Sequence, residues 1–258
     1  MRDPAKGGDL QALGVEVRQA DFNHKDTLAQ AFAGATQVLM ISSNARATGG
    51  DSLAQHRNAI EAASSAGVKR IVYTSQMAAS AQSAFPPAHD HAATEAMLAA
   101  SGVRWTALRN GFYASSGLQF VGDLFKGNDL HLPADGRTAW TAHADLADAA
   151  AAILMSDGRF DGPTPPLTAN EALNFSELTQ IVAELSGKPL HRTYCTDEQF
   201  ARVLQDRGMP QGAVRMILGY YQASREGEFA RTDPTLETLI GRKPATMRQI
   251  IREALATA

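Results

Sequence analysis

The chain has 258 residues, 44% of them apolar and 20% charged, the balance of an ordinary globular protein long enough for one large core or a core with an added lobe. A net charge of −3 gives no general attraction to nucleic acid or to an anionic membrane, and the single cysteine, Cys195, excludes an internal disulfide and any multi-cysteine metal centre. No apolar run approaches the roughly 18 residues of a membrane span, and Met1-Arg2-Asp3-Pro4-Ala5-Lys6 has no apolar signal core, so the expected location is cytoplasmic.

The opening Arg2-Asp3-Pro4-Ala5-Lys6 reads as the end of a strand and the turn after it, without a helix of its own. Residues 15–20 alternate apolar and polar, which predicts a strand ending at Asp21-Phe22. Asn23 with Asp26 predicts a helix start, Leu28, Ala31 and Phe32 give helical spacing, and Gly34 stops it. Residues 37–41 predict a continuous apolar strand ending in Ser42-Ser43-Asn44. A helix from about Asp51 carries Leu53, Ile60 and Ala63 and stops at Gly67. Residues 68–73 predict the next strand, ending in Thr74-Ser75. The helix holding Thr94, Glu95, Met97 and Leu98 stops at Gly102, and residues 103–108 predict a strand that ends in Arg109-Asn110-Gly111-Phe112-Tyr113. Short apolar strands alternating with amphipathic helices argue for parallel βαβ units and an α/β fold. Ligands of such sheets lie beyond the carboxyl ends of the strands, so these four strand ends outline a ligand crevice.

Past about residue 116 the alternation fades. Leu118, Val121, Leu124 and Phe125 predict a helix, and Asp145 is placed to cap the alanine-rich helix that runs through Leu154. Asn174 with Glu177, Thr196 with Gln199, and Thr246 with Gln249 have capping-box spacing, while Gly187 and Gly208 are helix stops. Leu178, Ile181, Val182 and Leu185 make one apolar face. The expected organisation is a Rossmann-like domain over residues 1–155 and a smaller, mainly helical lobe over 156–258, interleaved with it.

Several residues carry candidate chemistry. A basic residue at the end of a second strand, as Arg2 is here, meets the 2′-phosphate of NADP, whereas an acid there favours NAD; a solvated arginine is the plainer reading. Asp21-Phe22 can flank an adenine or simply end a strand with Phe22 in the core. Ser42-Ser43-Asn44 can contact ribose or phosphate, or only terminate a strand. His89 and His91 point apart on a helix and have no third ligand in view, which argues against a metal. His91 and Glu95 share a helix face, at the spacing of the Tyr-x-x-x-Lys pair of short-chain dehydrogenases. A glutamate cannot lower a partner's pKa as that lysine does, so His91 is left as a substrate-side donor or a pocket-wall residue. No G-x-S-x-G occurs, so hydrolysis has no support, and Cys195 reads as a bystander.

Taken together, Arg2-Asp3-Pro4-Ala5-Lys6, Gln19-Ala20-Asp21-Phe22, Leu39-Met40-Ile41-Ser42-Ser43 and Gln55-His56-Arg57-Asn58 match one family, as do the decapeptide from Ala66 to Ser75 and Leu108-Arg109-Asn110-Gly111-Phe112-Tyr113. His91-x-x-Thr94-Glu95 and Leu239-Ile240-Gly241-Arg242 complete the set. In order and over the whole chain, the sequence resembles the NmrA-like atypical short-chain dehydrogenases. It is most similar to their branch of type 2 quinone oxidoreductases and triphenylmethane reductases. The resemblance implies an NAD(P)-binding domain, with NADPH preferred to NADH; no cysteine or histidine cluster suits a metal and no residue pattern marks a flavin site, so neither is expected. It implies cofactor contacts from Arg2, Asp21, Phe22, Ile41, Ser42, Ser43, Asn44, Thr74, Ser75, Asn110, Gly111, Phe112 and Tyr113. The segments 110–115 and 140–144 would border the nicotinamide and substrate, with Phe112 and Trp140 as aromatic walls and His91 or Tyr113 reaching an acceptor oxygen. The implied reaction is hydride transfer to a quinone or similar conjugated small molecule, by a monomer or homodimer with no nucleic-acid or membrane partner. A non-catalytic dinucleotide-binding redox sensor and an inactive fragment are the alternatives.

The sequence departs from the family pattern in its glycines. Neither G-x-G-x-x-G nor G-x-x-G-x-x-G occurs, and no two glycines lie two or three positions apart. The first strand, glycine-rich turn, first helix and second strand, about thirty residues, are therefore expected upstream of Met1. Without that segment the chain is expected to bind NADPH poorly, because the backbone N–H groups and helix dipole that hold a pyrophosphate are lacking. The reading frame should continue upstream in verified genomic DNA and encode this segment; an in-frame stop codon immediately before Met1 contradicts the expectation.

Overall fold

A computed structural model of the protein describes residues 1–156 and 158–257. In chain order the elements are α1 (Gly8–Ala12), α2 (Lys25–Phe32), β1 (Gln37–Met40), α3 (Ser52–Ser65), β2 (Arg70–Gln76), α4 (Pro86–Ala100) and β3 (Arg104–Asn110). There follow β4 (Phe112–Tyr113), α5 (Ala114–Phe120), α6 (Gly122–Phe125), β5 (Leu130–Pro133), β6 (Trp140–Thr141), α7 (His143–Met155) and β7 (Gly162–Pro163). The last are α8 (Phe175–Ser186), β8 (Arg192–Cys195), α9 (Asp197–Asp206), α10 (Gln211–Arg225), α11 (Thr235–Ile240) and α12 (Met247–Thr257). The main sheet has the order β1-β2-β3-β7. Its β1–β2 pairing is parallel from Gln37↔Arg70 to Met40↔Tyr73, and β3–β7 is parallel at Thr106↔Gly162. Every residue of β2 is buried, as expected of a parallel strand covered on both faces. This is a Rossmann-like α/β fold.

The chain divides into two compact units: residues 1–74, 92–107 and 160–163, and residues 75–91, 108–159 and 164 onward. In the first, Met40, Ile60, Val68, Ile71, Tyr73 and Leu98 form the core under β1 and β2. Arg70, 3% exposed, donates to Thr106 Oγ1 (2.7 Å) and to the Phe160 carbonyl (2.8 Å). The N-cap of α3 is Asp51, whose carboxylate accepts from Ala54 N–H.

The second unit is built on aromatic rings. Trp140, Phe175, Tyr220, Tyr221 and Phe229 are fully buried. Tyr220 stacks on Phe229 at 5.6 Å and 7°, and Phe112 meets Trp140, Tyr220 and Phe229 edge-on at 5.0–5.6 Å; such offset and T-shaped pairs add to plain area burial. The capping boxes at Asn174 and Thr196 form as the spacing predicts, and Thr246 exchanges the same reciprocal bonds with Gln249.

Four local expectations are corrected. Residues 15–20 make no strand. Their backbone instead meets Met1, with the terminal ammonium donating to the Arg18 carbonyl (2.8 Å) and Ala20 N–H to the Met1 carbonyl (3.0 Å); an alternating pattern without a neighbouring strand has no ladder to join. The N-cap of α2 is His24, not Asn23, whose side-chain oxygen instead accepts from Gln55 Nε2 (3.0 Å). Pro4–Gly7 forms a 3₁₀ turn capped by Asp3, and α1 follows it. Asp145 lies inside the first turn of α7, which Ala142 caps; its carboxylate binds Arg242 (2.6 Å) and Ala245 N–H (2.8 Å) instead.

The second unit also encloses an ion pair. Asp135 and Arg192 meet at 2.5 Å with side chains 1% and 4% exposed. Arg192 also donates to the Pro133 carbonyl, and Phe175 N–H donates to Asp135. Burial pushes the Asp135 carboxyl above its ordinary range despite the pull of Arg192. Arg192→Leu leaves the carboxylate buried and unpaired and should cost about 3–5 kcal/mol in denaturant unfolding near neutral pH. The fold then binds a proton that the unfolded chain releases, so stability falls as pH rises from the carboxylate range and the penalty should shrink in acid. A loss that is small at neutral pH, or one that grows on acidification, contradicts this.

Candidate functional site

In the first unit, the residues that follow β1 are tied to Thr74, near the carboxyl end of β2. Ser42 N–H donates to Thr74 Oγ1 (2.8 Å), whose hydroxyl also faces Ser42 Oγ (3.3 Å). Ser43 N–H donates to His56 Nε2 (2.8 Å), and Ser43 Oγ donates to Gln55 Oε1 while accepting from Ala45 N–H (3.1 Å). Asn44 is exposed and heads a 3₁₀ turn, Ala45–Thr48, and Ile41 is 57% exposed. Asp21 and Phe22 are half-buried; the Phe22 carbonyl accepts from Asn58 Nδ2 (2.9 Å). Arg2 is exposed, and its carbonyl faces Gln19 Nε2. Gln55, His56 and Asn58 stand in a matched segment but were given no role from sequence; only the contacts reveal one.

In the second unit, Gly111 fixes the geometry. Its N–H donates to the Leu167 carbonyl (2.8 Å), and Leu167 N–H returns to the Arg109 carbonyl (2.8 Å). Phe112 and Tyr113 then pair in parallel with Trp140 and Thr141. A Cβ on Gly111 would overlap Thr141 Oγ1 and lie 3.1 Å from the Ala139 and Leu167 carbonyl oxygens. Trp140 is 1% exposed, donates from Nε1 to the Leu173 carbonyl (2.9 Å) and lies against Phe112, which is half-buried. The Tyr113 ring lies 4.2 Å from that of His143. Burial raises the Tyr113 hydroxyl above its ordinary pKa, and the Asn110 side chain opposes that only in part. His91 is half-buried on α4, and Ser75 is buried at the end of β2.

Gln76 and Asn110 were not expected as a pair. Met77 N–H donates to the Asn110 carbonyl (2.9 Å), a parallel-ladder bond that sets Gln76 beside Asn110 with both side chains on one face. Gln76 is 9% and Asn110 4% exposed, and Gln76 Nε2 and Asn110 Oδ1 are both without a hydrogen-bond partner. A buried donor and a buried acceptor left open side by side are costly unless something completes them. A primary carboxamide, which offers one carbonyl and one NH₂, is the complement. The residues present thus fit the nicotinamide end of a dinucleotide. Directly after Gln76, residues 77–80, Gln82, Ser83 and Glu228 line a cavity of about 410 Å³. Glu228 holds its wall by accepting from Ser83 Oγ (2.5 Å) and Ala84 N–H (3.0 Å). His89, one of the two histidines set aside as metal ligands, donates to the Ser83 carbonyl (2.7 Å). Among the described residues no group of three or more His, Cys, Asp or Glu side chains is placed to hold a metal, and no helix is long and apolar enough to cross a membrane.

Residues 1–157 match the model of a family described as NAD(P)H-binding. Quinone oxidoreductase 2 of Escherichia coli strain K12 is 34% identical over 252 residues, covering 97% of this chain and 86% of that protein. The fold superimposes on an NADPH-dependent quinone oxidoreductase from Escherichia coli complexed with NADPH with a TM-score of 0.88 at 33% identity, over 99% of this chain and 88% of that one. It also matches the Citrobacter sp. triphenylmethane reductase complexed with NADP(H), with a TM-score of 0.87 at 32% identity, over 98% and 88%.

Because Gly111 has no room for a side chain, Gly111→Ala should lower stability by about 1–3 kcal/mol. Thr141→Ala in the same chain should recover part of that loss, since Thr141 Oγ1 is the nearest obstacle. Equal unfolding midpoints for the unsubstituted protein and Gly111→Ala contradict the packing argument.

Proposed function

The chain belongs to the NmrA-like, NAD(P)H-binding family of oxidoreductases, and from that premise we propose that it passes a hydride from NADPH to a quinone or a similar planar, conjugated acceptor. The observation that carries this reading is the open amide pair of Gln76 and Asn110, matched to a carboxamide at the ends of adjacent parallel strands. NADPH, when bound, supplies a hydride that, with one proton, turns a quinone into a hydroquinone.

The residues divide the work. Arg2 meets the 2′-phosphate, and Asp21, Phe22, Ile41, Ser42, Ser43, Asn44 and Thr74 line the dinucleotide. Ser75, Asn110, Gly111, Phe112 and Tyr113 take its nicotinamide end, with Gln76 added to that set. Residues 1–155 are the cofactor domain in this reading and 156–258 the substrate-side lobe. The cavity after Gln76, of about 410 Å³, has the size of an ordinary small-ligand pocket and would seat the acceptor. Phe112 forms an aromatic wall stiffened from behind by Trp140. Tyr113, a neutral phenol, donates to the acceptor oxygen as charge gathers there. His91 is a secondary donor. A quinone spreads that charge over its ring, so holding it flat and close matters more than a strong acid. That suits a site with His91 and Glu95 where a tyrosine and a lysine would serve a simple ketone.

The test uses protein expressed from its complete reading frame, treated with EDTA and given no flavin. Benzoquinone and naphthoquinone should accelerate NADPH oxidation well above the uncatalysed rate. Tyr113→Ala should lower that rate more than His91→Ala. Arg2→Ala should weaken NADPH about ten- to hundredfold and leave NADH nearly unchanged, the worth of a charge-assisted bond to the 2′-phosphate. Tight NADPH binding without turnover would move the reading to a redox sensor, loss of activity with EDTA would refute the metal-free route, and equal losses for both cofactors would remove Arg2 from the phosphate.

A further inference from the structure

The geometry points to His56 as a positioning residue for the dinucleotide, acting through the backbone of Ser43; this rests on the proposed role of the residues after β1. His56 is 1% exposed and lies edge-on to Tyr73 at 5.4 Å, and it does not reach the strand-end surface itself. A backbone N–H can only donate, so Nε2, which receives Ser43 N–H at 2.8 Å, carries no proton. The ring is therefore neutral with its hydrogen on Nδ1, and Nδ1–H donates to Thr94 Oγ1 at 2.8 Å. The imidazole spans from α4 to Ser43 in the loop after β1, and the two bonds lock its tautomer and ring plane, as an outer partner does for a metal-bound histidine.

The rest of α3 extends the clasp. Ser52, Gln55 and His56 stand at helical spacing on one face. Ser52 Oγ accepts from Arg46 N–H (3.1 Å), and Gln55 takes Ser43 Oγ on its carbonyl while donating to Asn23 Oδ1 (3.0 Å). Asn58 Nδ2 holds the Phe22 carbonyl (2.9 Å). Two separate loop segments, 21–23 and 42–46, are thus fixed by side chains of a single helix. Loops are ordinarily the mobile part of a site, and here their backbone is pinned before any ligand arrives. His56 makes the central bond of the clasp, because it holds the main-chain N–H of Ser43, an assigned contact residue, and is itself enclosed at 1% exposure.

The experiment compares His56→Leu, His56→Gln and Thr94→Val in protein from the complete reading frame. Glutamine presents a carbonyl oxygen on the side where Nε2 stood, so it can still accept from Ser43 N–H. Amide hydrogen exchange at Ser43, measured without dinucleotide, should speed up about tenfold or more in His56→Leu and stay close to the unsubstituted rate in His56→Gln. The NADPH dissociation constant from calorimetry, and KM for NADPH, should rise by about tenfold in His56→Leu with kcat nearly unchanged, and His56→Gln should restore most of the loss. Thr94→Val, which keeps shape and removes the partner of Nδ1, should give a smaller rise and serves should His56→Leu not fold. Unchanged exchange at Ser43 overturns the clasp. Faster exchange with an unmoved NADPH affinity overturns the positioning role alone. If the unsubstituted protein binds no NADPH, the functional reading fails and the positioning role fails with it.

Discussion

The close approach at Gly111 is the constraint on which the second unit's part of the site depends. The main chain passes so near Thr141, Ala139 and Leu167 that no side chain fits. That approach lets Phe112 and Tyr113 pair with Trp140 and Thr141, and lets residue 167 close on both Arg109 and Gly111. Asn110 is thereby held at the end of β3, Phe112 is pressed onto the aromatic core, and Tyr113 is turned toward His143. One missing methyl group sets the positions of three neighbouring side chains, and rigid placement of this kind is what hydride transfer to a flat acceptor asks of a protein.

Electrostatics are arranged with the same economy. Tyr113 is half-buried, and its pKa is raised because leaving the phenolate in a poorly solvated place is costly. Gln76 and Asn110 leave one donor and one acceptor open where β2 and β3 end. Neither would suit a charged catalytic acid; both suit a neutral amide. At the loop after β1 the first unit fixes backbone direction with hydroxyls, amides and a neutral imidazole.

Much of this was legible from residue order. The apolar runs that became β1, β2 and β3, the helix stops at Gly67 and Gly102 and the three capping boxes follow from local chemistry that the surroundings do not override. Residues 15–20 failed because alternation describes a surface that suits a strand and says nothing of whether a neighbour stands beside it. Asp145 failed because its long-range partners Arg242 and Ala245 outbid the helix end, and nothing nearby in sequence announces them. The strand-end sites at Ser42, Thr74 and Asn110 were readable as positions. Their supports were not: Gln55, His56, Gln76 and Glu228 gain meaning only from groups brought to them by the fold, and an amide left unpaired has no signature in a sequence.

The claim at the centre of the account is direct hydride transfer from a nicotinamide held in one orientation. It is tested most directly by giving the protein NADPH carrying deuterium at one or the other of the two prochiral positions of the reduced nicotinamide ring, with naphthoquinone as acceptor. A primary isotope effect from one label and none from the other is the predicted result. No isotope effect from either label, with the acceptor still reduced and the chemical step shown to limit the rate, would contradict it.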